Sequence, residues 1–474
     1  MLSLLSSISF ITWHLVIKIA IYKRKIQYVL VPALAFLIGV GAFNLAVLKF
    51  NKSVNTSPKE IEARIYNVSK EKDGMIMAYA DNIKFDEKDE NTNIIIYVYD
   101  NTGLFENIKV GNVIQFKPYR FYKTELFYNA IPNSNLYNSN LKYTTSVLAE
   151  NIIYESTNKT LAEQFKESTK ENLTLGLTNE NVEIAYSALF GDKDLLSDKQ
   201  YNSYKLSGVA HLLAVSGLHV GIIVGILSVF LKCIKVKRWW KFLVISIFLC
   251  FYMYLCSFAV SIIRASIMSL ILMIANILGK EYDPFNSISV AGILIFLINP
   301  MCVFDVAFLL SFSCVIGIVM LYMPIENFLK KTKISEKLIK IVATSISTTT
   351  AIVFVMAFYF RTLNIISILA NVILIPIFTF AFTIIFIVSI LSFILPQLCY
   401  LLCPLNYVLD LINLLATLLG NLSISNFNTT RFNYIAIILY FILLLFMGRF
   451  CTSKHKYKMI TTLPMVALLV YCLL

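Results

Sequence analysis

Apolar positions along this chain fall into three regimes, and each predicts a different kind of structure. Two apolar runs open it, 4–22 and 27–48, parted only by Lys23, Arg24 and Lys25. Each approaches the ~20 residues that carry a helix across a ~30 Å hydrocarbon core, and a basic knot between two spans marks the cytoplasmic side. His14 and Lys18 would also let the first run lie in the interface. In both cases the second run leads outward, and residue 50 onward lies outside. From 58 to 155 the pattern changes to short runs rich in Ile, Val and Tyr at 62–68, 75–80, 93–99 and 113–119. The turn residues Lys72-Asp73-Gly74, Asn101-Thr102-Gly103 and Val110-Gly111-Asn112 part them. About five short strands separated in this way predict a small β-barrel, with an OB-fold as the leading architecture. Residues 160–205 read as helical, with a break at Gly191-Asp192.

The rest of the chain is almost continuously apolar, with spans predicted near 207–231, 242–258, 260–279, 286–299, 302–323, 339–359, 363–395, 399–420, 433–448 and 459–474. The basic loops at 232–241, 330–340 and 449–458 read as cytoplasmic. With the polar region outside, the parity closes if 363–395 crosses once, and Leu474 then ends outside. That run is long for one simple helix and contains Asn371 and Pro376. A broken or re-entrant helix suits both, because irregular backbone at membrane depth is tolerated where it lines a cavity. The expected fold is therefore a polytopic α-helical membrane protein of about 11–12 spans with an extracytoplasmic OB-like β domain.

Composition agrees. Of 474 residues 58% are hydrophobic and only 15% charged, too little charge to cover a soluble protein of this length. The net charge of +13 suggests nucleic acid until its distribution is read. Residues 50–165 hold 13 Lys or Arg against 15 Asp or Glu, so the excess sits in membrane loops and reports topology. None of the nine cysteines falls in the polar stretch, which excludes a disulfide framework there. Cys399 and Cys403 lie four apart on an apolar helix, without a histidine or carboxylate pair to complete a metal site, and read as packing. The start lacks a basic segment before its apolar run, so it does not read as a secretory signal.

The segment 207–220, Ser-Gly-Val-Ala-His-Leu-Leu-Ala-Val-Ser-Gly-Leu-His-Val, holds two of the four histidines at the start of an apolar span. On a helix His211 and His219 would share a broad face, with hydroxyl–imidazole contacts feasible from Ser207 and Ser216. Small residues there, Gly217 among them, permit close helix approach. A packed helix with satisfied polar groups explains these features as well. A nucleophile elbow lacks its flanking glycines, and two histidines alone are not a metal ligand set. Arg264 lies within an apolar run, where an ionisable group costs at least ~2.5–3.5 kcal/mol and marks a functional position unless it snorkels. Asp305 and Asp410 are the lone carboxylates of their spans and the candidate ion-pair partners for Arg264. In the polar region Lys117, Tyr119, Arg120, Tyr122 and Lys123 interleave cations and rings around Phe121. Bases stack on rings while cations follow phosphates, so this is a candidate single-strand platform. A hairpin with its aromatics in the core fits the domain's near-zero charge better.

Ala188-Leu189-Phe190-Gly191-Asp192, the 207–220 stretch, and Arg264-Ala265 with Met268 resemble the competence region of ComEC-type proteins. Asp283-Pro284, Asn299-Pro300, Phe308 with Leu310-Ser311-Phe312, and Ser367 with Asn371 and Pro376 follow in that family's order. The resemblance implies passage of incoming single-stranded DNA across the bacterial cytoplasmic membrane during natural transformation. It implies that the outer OB-like domain guides the strand, and that His211, Ser216, Gly217, His219, Arg264, Ser311 and Asn371 line or shape the pore. Its partners would be single-stranded DNA, the lipid bilayer, other competence proteins, a separate nuclease and a cytoplasmic ATPase, with no cofactor, metal or catalytic residue. On this reading 1–49 holds two membrane segments, 50–158 the OB-like domain, 159–206 a helical linker, 207–395 the competence-type core, and 396–474 C-terminal membrane helices.

The chain departs from the family's pattern in three ways. Ala307-Phe308-Leu309-Leu310-Ser311-Phe312 replaces a stretch that usually carries a glutamine, and no proline shortly precedes Phe358-Tyr359-Phe360. The His-x-His-x-Asp-His signature of the family's metallo-β-lactamase-like nuclease domain is absent, so the chain is expected not to degrade DNA itself. Two other readings stay open: a divergent member that moves another substrate or is inactive, and a membrane enzyme built on His211, Ser216 and His219.

Overall fold

The computed structural model describes residues 27–51, 58–69, 75–99, 108–128, 131–332, 335–364, 366–422 and 427–428. The expected spans near 4–22, 433–448 and 459–474 lie outside the described residues. Helix α1 (Gln27–Asn51) carries a single charge, Lys49. The alternating region follows as β1 (Ile61–Val68), β2 (Met75–Phe85), β3 (Lys88–Glu90), β4 (Asn93–Tyr99), β5 (Asn112–Phe116) and β6 (Arg120–Lys123). A hairpin of β7 (Phe127–Tyr128) and β8 (Ile131–Pro132) and the short helix α2 (Ser134–Asn138) lead into β9 (Leu141–Leu148) and β10 (Ile152–Thr157).

Eight strands form one sheet ordered β10-β5-β1-β2-β4-β9-β6, with β3 added on β2. Every pair is antiparallel except β4 with β9. Side chains alternate between faces along a strand, and the buried set, including Ile61, Ile65, Ile94, Ile96, Val98 and Ile114, is the apolar half of that alternation. The sheet has more strands than the sequence suggested, and its ladder does not close into a barrel. One cause is local: Pro118 cannot donate to a ladder, so the expected strand 113–119 divides into β5, which pairs with β1 and β10, and β6, which pairs with β9.

Three helices link sheet and bundle: α3 (Leu161–Thr174), α4 (Asn179–Phe190) and α5 (Asp198–Leu206). Capping boxes start the first and third, Thr160 with Glu163 and Ser197 with Gln200. They are more than a spacer, because α4 is buried along most of its length. Asn406 accepts from the Thr178 N–H and from Asn181 Nδ2, both at 3.0 Å, and donates to the Gly176 carbonyl at 2.9 Å.

The apolar half contains α6 (Gly217–Cys233), α7 (Arg238–Leu255), α8 (Val260–Leu278), α9 (Pro284–Ile298), α10 (Val306–Leu329), α11 (Glu336–Val355), α12 (Ser367–Leu391) and α13 (Leu405–Gly420). Among the described residues five helices are long and apolar enough to cross a membrane, and a sixth if α13 is joined to the 3-10 turn Pro396–Leu402, bent from it by 51°. This is a multi-pass membrane protein, with fewer full-length spans in its described part than the apolar runs predicted. The run 207–231 spends its first ten residues on a loop with one 3-10 turn, so α6 begins at Gly217, and Asn299-Pro300 ends α9 early. The run expected to be broken, 363–395, is instead one continuous helix through Pro376, since neighbouring helices tolerate an interior proline in a membrane. The irregular backbone falls on either side of it. A π-turn at Met356–Phe360 and the left-handed Arg361 (φ 52°) precede it, and Pro396 and Pro404 flank the bend after it.

Helices α10 and α11 pack closest where Gly317 faces Ala351 and the Ser347 carbonyl, with no room for a Cβ. Ala343, Ser347 and Ala351, one per turn, are all buried. The sheet domain seats on the turn between α9 and α10. There Asn138 Nδ2 donates to Asp305 Oδ2 at 2.8 Å, Asn299 Nδ2 to Asn138 Oδ1 at 2.5 Å, and Met301 is buried with Ala46, Phe50 and Leu126.

Candidate functional site

The segment 207–219 is a folded loop that ends in a helix start. Ser207 Oγ turns back on α5, donating to the Ser203 carbonyl at 2.9 Å and the Tyr204 carbonyl at 3.2 Å; it does not reach His211. Gly208 has φ +79°, a conformation that favours glycine, and a Cβ there would lie 2.5 Å from Ser367 Cβ. Asn364 locks this crossing by donating to the Leu206 carbonyl at 2.5 Å and accepting from the Ser367 N–H at 3.1 Å. After it comes a 3-10 turn, Ala210–Leu212, which holds His211 exposed between the buried Val209 and Leu212. The expected shared helical face of His211 and His219 is therefore absent: one is in the loop and the other in the first turn of α6.

Ser216 begins that helix. Its N–H donates to His219 Nδ1 at 3.1 Å, and its Oγ lies 2.9 Å from the same nitrogen. Nδ1 accepts from the backbone, which leaves the imidazole proton on Nε2. That atom is buried and makes no hydrogen bond of normal geometry, the Leu212 carbonyl being the nearby backbone acceptor, and the ring packs edge-on against Phe382 (4.5 Å) and Phe378 (5.5 Å) of α12. Asn371 lies seven residues before Phe378 on α12, about two turns away on a similar face, and is 8% exposed with Oδ1 unpartnered.

Arg264, on the first turns of α8, is 6% exposed. Its guanidinium sits against Gly217, where a Cβ would be 2.9 Å from Nη2, and near the face of Phe312, 6.0 Å from the ring centre. Nη1 donates to the Ser311 carbonyl at 2.7 Å, and Nε has no partner. Ser311 thus takes part through its backbone. Neither expected carboxylate meets this arginine. Asp305 caps α10 through the Ala307 N–H at 2.7 Å and holds Asn138, while Asp410 accepts from Asn181 Nδ2 at 2.9 Å. Their amide partners lie 167 and 229 residues away in the chain, which is why a single sequence did not reveal them.

The structure therefore gathers Ser216, Gly217, His219, Arg264 and the Ser311 carbonyl around the start of α6, with Asn371 buried about two turns along α12 from the ring that packs on His219. Two contributors escaped the sequence reading. Asn364 is a lone amide in an apolar run, a signal that was present, and Ser261 Oγ donates to the Val215 carbonyl at 2.8 Å. Among the described residues no three His, Cys, Asp or Glu side chains gather into a metal site.

The second candidate surface lies around β6. Lys117, Tyr119, Arg120, Tyr122 and Lys123 are all exposed, Tyr119 at 75% and Tyr122 at 57%. The Arg120 guanidinium lies 5.7 Å from the Tyr119 ring centre, and Lys123 Nζ donates to the Asn51 carbonyl at 3.0 Å. Only Phe121 enters the core, stacking on Tyr143 at 5.0 Å and meeting Phe85 edge-on at 5.5 Å. The hairpin with buried aromatics thus describes Phe121 but not Tyr119, Tyr122 or Phe127, which are exposed.

A family model described as Competence protein matches residues 188–454. Over 197 residues, 42% of this chain, the sequence is 27% identical to ComE operon protein 3 of Bacillus subtilis. Over 183 residues, 36% of the chain, it is 28% identical to Recombination protein 2 of Haemophilus influenzae. The aligned stretches span 25% and 22% of the lengths of those two proteins. No solved structure matches.

Proposed function

Because this chain belongs to the Competence protein family, we propose that it takes part in DNA uptake during competence by passing single-stranded DNA across the cytoplasmic membrane. The observation that carries this reading is the polar seam itself. His219, Arg264 and Asn371, on three apolar helices, turn inward with hydrogen-bonding atoms left unpartnered. A polyanion crossing lipid needs such a path, with groups able to bind it and to release it. The seam is closed in this structure, and opening it would require α6 or α12 to move.

The sheet domain supplies the entrance in this proposal and lies on the extracytoplasmic side. Its strand order supports an OB-like reading despite the open ladder. β5 and β6 are separated by only three residues, and one pairs with β1 while the other pairs with β9. A single strand bent at Pro118 thus touches both ends of the four-strand path β1-β2-β4-β9. Tyr119 and Tyr122 would stack bases while Lys117, Arg120 and Lys123 follow the backbone. The chain acts here as a conduit and not as an enzyme.

One observation favours a second reading. Ser216 Oγ and His219 Nδ1 are at the distance of a nucleophile and its base. No carboxylate orients Nε2, however, since that atom makes no hydrogen bond of normal geometry among the described residues. Transformation rescue in a competent host lacking its own family member separates the readings. The parent chain should restore uptake of supplied single strands, and Ser216→Ala should retain it. Loss of rescue with Ser216→Ala, from protein inserted normally, would favour the enzyme. No rescue by the parent chain, with a nuclease partner co-expressed, would favour another substrate.

A further inference from the structure

Arg264 is a buried cation that no carboxylate pairs with among the described residues. From residue 207 to the end there are six carboxylates: Glu281, Asp283, Asp305, Glu326, Glu336 and Asp410. Asp305 and Asp410 are held by Asn138 and Asn181, Glu326 pairs with Lys330 at 3.1 Å, and Asp283 caps the Phe285 N–H at 2.9 Å. Glu281 and Glu336 are exposed, and neither pairs with Arg264 within the described residues. The segments outside the described residues at 1–26 and 429–474 contain no Asp or Glu at all.

An isolated buried charge is costly unless something compensates it, and the surroundings here suit an anion. The guanidinium lies against Gly217, the first residue of the 17-residue helix α6. The amide groups and positive dipole end of that helix attract negative charge and would repel the arginine if nothing came between them. Nε is buried and unpartnered. We propose that Arg264 and the first turn of α6 form an anion subsite that takes one phosphodiester group of the moving strand at a time. This rests on the strand-passage reading for the source of the phosphodiester, though not for the subsite. The missing carboxylate is the functional feature: a resident counter-ion would occupy the guanidinium permanently, whereas a conduit needs a site that can be vacated. The interior position, 6% exposed, favours the strand over a lipid headgroup, which sits at the membrane border.

The test uses the full chain in detergent, with thermal unfolding as readout and dimethyl phosphate, the smallest phosphodiester monoanion, as probe. Saturating probe should raise Tm by about 2 °C or more, and neutral trimethyl phosphate should not. Arg264→Gln should unfold cooperatively and lose the shift. Cys314→Asp places a carboxylate within electrostatic reach of the guanidinium; it should also lose the shift while Cys314→Ser keeps it. An arginine with a purely structural role would not respond to Cys314→Asp in this way. A shift that survives in Arg264→Gln, one shared by trimethyl phosphate, or none in the parent chain overturns the subsite. A thymidine dinucleotide should compete with dimethyl phosphate, and dihexanoyl phosphatidylglycerol should not; the reverse would assign the site to lipid and overturn the strand. Failed DNA passage beside a positive dimethyl phosphate result would remove the proposed function and leave the anion site standing.

Discussion

Two buried arginines, one in the sheet domain and one in the bundle, are treated in opposite ways. Arg64 is 7% exposed and Arg264 is 6% exposed. Arg64 meets Asp81 at 2.6 and 2.9 Å, Glu163 at 3.0 and 3.2 Å, and the Asn158 carbonyl at 3.3 Å, tying β1 to the start of α3. Arg264 has one carbonyl. Burial works against the charge on Arg64, but its hydrogen bonds and the nearby negative charges of Asp81 and Glu163 outweigh this and hold its pKa above the ordinary value. The same contrast runs through both regions. Among the described residues nine buried side-chain atoms have no partner: Ser146 Oγ belongs to the sheet, three belong to α4 and α5, and five belong to the apolar helices. Folding selects for satisfied polar groups, so polar atoms left unsatisfied inside apolar helices point to something other than stability.

The largest effect should come from breaking the satisfied side. Arg64→Leu strands two carboxylates in a partly buried site, and removing one member of such a group costs ~3–5 kcal/mol. Limited proteolysis of the full chain should show early cleavage between the sheet domain and α3. Uncleaved protein at wild-type protease levels would mean that the network contributes little.

This contrast also marks what a sequence reader can see. Alternation in the sheet was legible because burial itself has period two, as at Ile94, Ile96 and Val98. The apolar runs gave the bundle but misplaced its helix ends, because hydropathy reports transfer into lipid and not backbone conformation. Residues 207–216 are apolar and still form a loop, set by Gly208 at φ +79° and the helix start at Ser216. Arg264 stood out as a lone ion. That no carboxylate among the described residues pairs with it could not be read, since Asp305 and Asp410 were equally available until distant asparagines proved to hold them. The split of Phe121 inward and Tyr119 and Tyr122 outward depends on a strand register that neighbouring chain, not local pattern, decides.

Two intermediate effects sharpen the comparison within the bundle. Gly317→Leu overfills the α10–α11 contact, where even a Cβ collides with Ala351. Overpacking typically costs ~1–3 kcal/mol, and the lowered Tm should be partly restored by no polar substitution nearby, since shape alone is at fault. Asp305→Ala removes the cap on α10 and the hold on Asn138. Losing such a cap costs ~1 kcal/mol. Besides a small fall in Tm, a cysteine pair placed across the sheet–bundle contact should cross-link more slowly; an unchanged rate would show that Asp305 serves only its own helix.

The smallest effect is the most discriminating. Arg264→Leu removes a side chain as buried as Arg64, so burial alone predicts a comparable loss. The charge accounting predicts otherwise. Leucine retains apolar contact with Phe312 and relieves the desolvation of an unpaired guanidinium, and replacing buried ionic groups by apolar ones is often neutral or stabilising. Only the bond to the Ser311 carbonyl is given up, and that carbonyl belongs to a helix that can satisfy it. Tm should therefore stay within about 2 °C of the parent or rise, roughly ±1 kcal/mol, while single-strand passage is lost. A fall as large as that of Arg64→Leu would mean that Arg264 holds the bundle together, and the difference between the two arginines would then be one of partners and not of purpose.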